Sequence, residues 1–270
     1  MFKLDHFGFL RVSGIDAIKF LQGYTTCDLD ALDNDTVQMG AICNLKGRML
    51  TSFLIVRDDS DLTLRMHRKL IHKTIEFLTK YIVFSKATLT DISEELYCFG
   101  RIDVSAGNSV TRITSQGNDS DQDSVESSGH GPAYEIGLNN RIESWLPSQA
   151  DASVDSRLEW NEAEISAGVA WVDDITTEEY LPQMFNYQAL GAIDFEKGCY
   201  LGQEIIARLH YRGELKKRLY RADVSLNENC DDWVVVSTGS ESTLLLMRNE
   251  GEAPVTLKTL QGEHFIAEPL

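Results

Sequence analysis

The sequence predicts an α+β fold followed by a small all-β unit, and three observations carry that expectation. Before residue 114, short apolar runs of strand composition interleave with two segments of helical periodicity. A polar, acidic stretch from 114 to 132 then interrupts the patterning, which resumes at once in "AYEIGL" and "RIESWLP". From Gly213 onward the chain carries only strand-like runs, parted by Gly, Asn, Ser and Asp.

Taken in order, a short helix is expected near Ile15 to Gln22. The runs "TVQMGAICN", "RMLTSFLIV", "DLTLRM" and "ELYCFGRIDV" have the β-branched and aromatic enrichment and polar punctuation of strands. Between the third and fourth, Ile71, Ile75, Leu78 and Ile82 form one stripe at helical spacing, so a helix is expected from about Arg68 to Tyr81. The stretch from 114 to 132, "TSQGNDSDQDSVESSGHGP", holds too few apolar residues to offset the entropy of ordering, and is expected to be a flexible surface loop within one domain. Ser156 and Glu159 have the spacing of a capping box, which predicts a helix to about Ala167 with Gly168 as its stop. "GQEIIARL" opens another near Gly202. The runs "LKKRLYRADV", "DDWVVVS", "STLLLMR", "APVTLKTL" and "EHFIAEPL" then fit a small antiparallel barrel or sandwich. Residues 1–212 are therefore expected to form one region and 213–270 a short C-terminal β-barrel.

Composition limits what such a chain can do. Its 270 residues suit about two units of common domain size. The N-terminus lacks a basic start followed by an apolar stretch, so no secretory signal is expected and a cytoplasmic location is. Apolar runs such as "FLIV" fall far short of the ~20 residues a membrane span needs. Five cysteines, at 27, 43, 98, 199 and 230, are odd in number and unrelated in spacing, which suits neither a disulfide framework nor a zinc site. Six histidines without a paired motif likewise give no metal site. A formal charge of −17 repels polyphosphate at long range, and direct nucleic-acid binding is not expected. Two local exceptions are basic: Arg208, Arg212, Lys216, Lys217, Arg218 and Arg221 stand against Glu214 alone, and a second group runs from Arg65 to Lys73. These groups read either as a solvated strand and helix face or as a docking patch for an anionic ligand tail or RNA.

Within "EKGCYLGQE", Cys199 has a better claim to reactivity than the other thiols. A thiolate is favoured beside a cation or at a helix N-terminus, and Lys197 lies two positions away while a helix is expected to open near Gly202. Gly198 and Gly202 would permit the tight backbone of a binding loop. A packed structural cysteine is the alternative at this point, and no general base is recognisable nearby, His210 being eleven residues on.

"KGCYLGQEIIAR", Lys197 to Arg208, resembles the signature K-G-C-Y-x-G-Q-E of the YgfZ family, folate-binding proteins related to the aminomethyltransferase (T-protein) of the glycine cleavage system. Every specified position of that pattern is matched. The likeness extends to "GIDAIKFLQGYTTCDL", "NLKGRML", "LPQMFNYQALGAIDFEKGCY" and the ending "FIAEPL". It implies a T-protein-like folate-binding body of ferredoxin-like α+β units around a central cavity, then a C-terminal β-barrel. It also implies a tetrahydrofolate-binding accessory protein in iron–sulfur cluster assembly or repair, supporting iron–sulfur tRNA-modifying enzymes. Tetrahydrofolate or a one-carbon derivative is the implied ligand, and iron–sulfur proteins or their assembly factors the implied partners.

On that resemblance Cys199 is the reactive thiol, its sulfur facing a hollow shaped for a pterin, and Lys197 lowers its pKa or meets an anionic group. Tyr200 stacks or hydrogen-bonds at the cavity wall, Gln203, Glu204 and Arg208 offer polar contacts, and Asn44, Lys46 and Arg48 around Gly47 are candidates for the folate rim or a plain hairpin turn. T-proteins carry an adjacent Asp pair where this chain has Thr51 and Ser52, and a pterin-binding Glu where it has Ser166. A hydroxyl is a poor substitute for a carboxylate in proton transfer. A folate-dependent aminomethyl or one-carbon transferase is thus the alternative reading.

Overall fold

The computed structural model describes residues 1–113, 133–147 and 157–270. Its first elements are β1 (Phe2–Lys3), β2 (Phe7–Ser13), α1 (Ala17–Gln22), β3 (Val37–Cys43), β4 (Met49–Asp58), β5 (Asp61–His67), α2 (Ile71–Thr79) and β6 (Thr88–Asp91). There follow β7 (Tyr97–Ile102), β8 (Ser109–Ile113), β9 (Ala133–Leu138), β10 (Arg141–Leu146), α3 (Arg157–Ser166) and α4 (Gln203–Arg212). The last strands are β11 (Lys217–Ala222), β12 (Trp233–Thr238), β13 (Thr243–Arg248), β14 (Val255–Lys258) and β15 (His264–Pro269). The expected loop at 114–132 and Ser156 of the capping box lie outside the described residues.

Three five-stranded sheets organise these strands, in the orders β3-β4-β5-β2-β6, β1-β7-β10-β9-β8 and β12-β13-β11-β15-β14. Alternation along β4 explains how the first two pack. Phe53 and Ile55 join Leu64, Phe20, Leu21, Ile71 and Leu78 in a core under α1 and α2. Leu54 and Val56, pointing the other way, join Phe9, Trp145, Tyr134 and Trp160 in a core shared with the second sheet. A strand buried on both faces reads as an unbroken apolar run, as "FLIV" does. The third sheet divides in the same manner: Leu244 and Leu246 pack with Phe185, Tyr187 and Ile206, whereas Leu245 and Met247 pack with Tyr220 and Trp233.

Three expectations change. The C-terminal sheet is open rather than a closed barrel, since no ladder among the described residues joins its edge strands β12 and β14. The α2 helix is shorter than its stripe, because Arg68–Leu70 and Ile82–Phe84 wind as 3-10 turns at its two ends. Strands β1, β2, β6 and β8 lie outside the strand-like runs of the sequence. Strand β2 is nonetheless interior to its sheet, paired with both β5 and β6.

Candidate functional site

The residues around Cys199 form a loop stitched to a distant one. Asp194 accepts from the backbone N–H groups of Glu196 (2.7 Å) and Lys197 (2.9 Å), an Asx turn that sets the direction of the chain. Asp194 N–H donates to Thr26 O, and Leu201 N–H to Gly23 O. Between these anchors Lys197 turns inward. Its Nζ donates to Gln22 O (2.9 Å), Gln22 Oε1 (3.1 Å), Thr25 O (2.9 Å) and Cys27 O (2.6 Å). Four oxygen acceptors leave no ammonium donor for the neighbouring thiol, so Lys197 is a clamp holding residues 22–27 against the signature loop. The Tyr200 ring lies 5.2 Å from the same ammonium, buried, with its hydroxyl unpartnered and its pKa raised by that burial.

Helix α4 begins where Gly202 adopts φ 83°, and a Cβ there would lie 2.5 Å from Asn44 O. Gly47, at φ 72°, meets Ile205 and Leu181 in turn. The signature loop and the 44–48 hairpin therefore interlock through these two glycines. Gly198 faces open space and has no positive φ. Asn44 caps the hairpin by accepting from Lys46 N–H and Arg48 N–H, and its amide donates to Glu178. Arg48 reaches Glu178 O and lies 3.7 Å from Glu179. The turn and its docking account for both, while Lys46, Gln203, Glu204 and Arg208 lie at the surface or half-buried.

Cys199 is exposed, whereas Cys27, Cys43 and Cys98 are buried. Burial pushes the Cys27 thiol up to about 12 and raises those of Cys43 and Cys98 as well. Those three are packing residues.

Two hollows flank Trp171. The first, of about 150 Å³, is walled by Met39, Leu54, Leu138, Trp171 and Arg141, with the side chains of Asn108 and Asn139 at its edge. Arg141 is 3% exposed and its Nε has no partner among the described residues. A single aromatic ring fills a cavity of ~150 Å³. The donor set of one guanidinium and two amides, with an apolar wall, suits one ring of a bicyclic pterin, the rest of a folate extending outside the hollow. The second hollow, of about 390 Å³, is bounded by His6, His67, Arg157, Asn161, Glu164 and the other side of Trp171. Trp171 Nε1 donates to the buried Glu164 at 2.8 Å, and burial holds that carboxyl above its usual range.

Cys199 lines neither hollow, nor do Asn44, Lys46 or Arg48. The reason lies in the docking: the signature loop sits on residues 22–27 and on the hairpin, and the cavity walls come from other segments. A third hollow of about 350 Å³ is lined by Phe20, Gly23, Tyr24, Tyr81 and Phe84, and thus reaches the segment on which the loop docks but not the loop itself. Thr51 and Ser52 are buried, and Ser52 Oγ accepts from Val172 N–H, so these hydroxyls serve the fold. Ser166 is exposed. Arg141, Glu164 and Trp171 were missed as site residues. Charged Arg141 and Glu143 at strand spacing inside the apolar "RIESWL" was the signal that could have flagged the first. Among the described residues, no three of His, Cys, Asp and Glu gather to hold a metal ion, and no helix is long and apolar enough to cross a membrane.

No family model matches the chain. Curated proteins do: it is 32% identical over 236 residues to the tRNA-modifying protein YgfZ of Colwellia psychrerythraea, covering 84% of this chain and 72% of that one. It is 32% identical to the protein of that name in Hamiltonella defensa, over 80% and 68% of the two chains. With that of Sodalis glossinidius it shares 28% identity, over 82% and 70%. Among solved structures, the glycine cleavage system aminomethyltransferase T from Bartonella henselae superposes with a TM-score of 0.70 over 99% of this chain and 84% of that one, at 10% identity. That likeness is one of fold.

Proposed function

The chain belongs to the family of the tRNA-modifying protein YgfZ, and from that premise we propose a tetrahydrofolate-binding accessory protein in iron–sulfur cluster assembly or repair. It would act in the cytoplasm, in support of iron–sulfur tRNA-modifying enzymes, with Cys199 as its reactive thiol. Residues 1–212 would be the folate-binding body and 213–270 a C-terminal unit.

One observation carries the reading: Cys199 stands exposed on a loop pinned by the Lys197 clamp and by Leu201, while three of the other four thiols are buried. A loop fixed on both sides of its thiol presents the sulfur in one place at little entropic cost. One thiolate cannot hold a cluster that takes about four. A transient sulfur or iron contact shared with a partner suits the count, and the iron–sulfur cluster is then cargo rather than a resident group. Arg141, Asn108, Asn139 and Trp171 would hold the pterin ring of tetrahydrofolate, which when bound supplies a one-carbon carrier. Among the described residues no carboxylate lines that hollow, which favours an accessory role over aminomethyl transfer, a step needing a group that accepts or steers a proton.

Complementation tests the thiol. In cells lacking their own copy, wild-type protein should restore iron–sulfur tRNA-modifying activity and Cys199→Ser should not, at equal abundance. Full rescue by the serine variant would end the role of the sulfur. Titration of purified protein with tetrahydrofolate, followed by tryptophan fluorescence, should saturate and weaken at least tenfold in Arg141→Met; equal affinity would remove the first hollow from the folate site.

A further inference from the structure

Helix α4 carries on its outer side a group of residues that lines neither hollow beside Trp171; Arg208, which the resemblance offers as a polar contact to folate, is one of them and lies away from those hollows. Arg208, Tyr211 and Arg212 line a shallow hollow of about 390 Å³ together with Ala207. Tyr211 is 64% exposed. Its ring meets His210 edge-on at 4.8 Å, and His210 is itself stacked on Phe195 at 3.8 Å with planes 15° apart. Arg208 and Arg212 are exposed, as is Lys216 just beyond the helix. None of the three has a carboxylate within 4.0 Å among the described residues, although Glu204 precedes Arg208 by one turn and Glu214 follows Arg212. By contrast, Arg218 and Arg221 are paired, with Glu252 and Asp223.

Unpaired cations around a formed aromatic platform are unusual on a chain of net charge −17. Helix C-termini attract cations through the backbone dipole, which accounts for Arg212 and His210. It accounts neither for Arg208, a turn earlier, nor for a tyrosine left in water. We propose that this face of α4 docks single-stranded RNA, with a base stacked on Tyr211 and its flanking phosphates on Arg208, Arg212 and Lys216.

The chemistry selects this occupant. Aromatic and guanidinium planes stack unpaired bases, and neighbouring cations take the phosphates between them. An acidic peptide would use the cations but not the exposed ring. The overall negative charge acts against approach of RNA at long range, yet at ~0.1 M salt it is screened beyond about 10 Å, so the local patch decides the contact. The face begins ~8 Å along the helix axis from its first residue, and the signature loop with Cys199 leads into that helix. RNA bound there would occupy the helix into which the thiol's loop leads. This assignment goes beyond the proposed function and stands on different residues.

Fluorescence anisotropy with a labelled single-stranded RNA of mixed sequence tests it, using the full chain at 50 mM and 200 mM salt. Binding should weaken steeply with salt, the log–log slope falling by about 0.7 for each phosphate contact removed. Arg208→Gln/Arg212→Gln should lower that slope by about 1.4, and Tyr211→Ala should weaken binding roughly tenfold. Both variants should keep the wild-type circular dichroism and tetrahydrofolate affinity, which separates failure here from failure of the folate reading. No binding, or binding unchanged in either variant, overturns the proposal. So does equal affinity for an RNA duplex of the same length. Polyglutamate binding that depends on Arg208 and Arg212, with RNA inert, would reassign the face to an acidic protein partner.

Discussion

At the scale of single residues, Lys197 is the clearest case of a side chain whose sequence context suggests one role and whose geometry gives another. Two positions from the thiol, it reads as the cation that would ionise a sulfur, but its Nζ is surrounded by oxygens of Gln22, Thr25 and Cys27. These partners lie more than 100 positions away, and nothing in local spacing announces them. Lys197→Met removes the donor and leaves buried carbonyls unpaired, at a cost of ~1–3 kcal/mol. Urea unfolding should register that loss, and amide exchange should quicken in residues 22–27 and 194–201 alone. Wild-type exchange rates there would mean that the clamp is redundant. His6 offers a second test. Burial, with Arg157, Arg65 and His67 nearby, lowers its pKa from 6.5 to about 2, and burial lowers that of His67 too. A base whose folded pKa is depressed is refused its proton by the folded chain, while the unfolded chain takes it below about 6.5. Stability therefore falls as pH drops from 6.5 towards 2, by up to ~1.4 kcal/mol per pH unit for one group. His6→Gln should flatten the change in urea midpoint between pH 7 and pH 5; an unchanged slope would show that His6 takes a proton in the folded state.

Among the elements, the two glycines of the signature part company. Gly202 sits in left-handed backbone against Asn44 O, so Gly202→Ala meets both a strained φ and a backbone contact that cannot yield. The expected cost is at least ~1–3 kcal/mol, with α4 displaced from the hairpin. Gly198→Ala meets nothing, and its stability should stay within ~0.5 kcal/mol of wild type. If the open space at Gly198 serves access to Cys199, a larger side chain there should slow reaction of the thiol with a bulky maleimide while the melting temperature holds. Equal destabilisation by both alanine variants would refute this division. The same contrast describes what could be read in advance. Helix α2 was legible because its apolar residues recur at helical spacing, and strands β4 and β13 because each holds a short unbroken apolar run bounded by polar residues. Strand β2, "FGFLRVS", was not, because a strand buried on both faces and broken by a glycine has neither alternation nor a clean apolar run. The signature was visible as a pattern, but its docking partner, the 44–48 hairpin, depended on contacts far apart in the chain.

On the scale of the whole molecule, one buried ion pair ties the first two sheets together and steadies the wall between the two hollows. Arg65 of β5 meets Glu143 of β10 at 2.5 Å and 3.1 Å, with both side chains fully buried. Trp145 Nε1 adds a third bond to the carboxylate at 2.9 Å. The guanidinium lies between the rings of Phe7 (3.7 Å) and Trp171 (4.1 Å), so the cation that joins the sheets also supports the tryptophan. Removing one partner strands a buried charge, and Arg65→Met should cost ~3–5 kcal/mol. Removing both lifts that penalty: Arg65→Met/Glu143→Leu should recover much of the loss, with a coupling energy of ~1–3 kcal/mol from the four-way cycle in urea. Additive losses would mean that the two groups act independently. Tetrahydrofolate binding should separate stability from site geometry, because the double variant regains packing but not the cation against Trp171. Its affinity should remain several-fold weaker than wild type at matched stability. Full recovery of affinity would show that Trp171 needs only a packed neighbour and that the charge beneath it serves the fold alone.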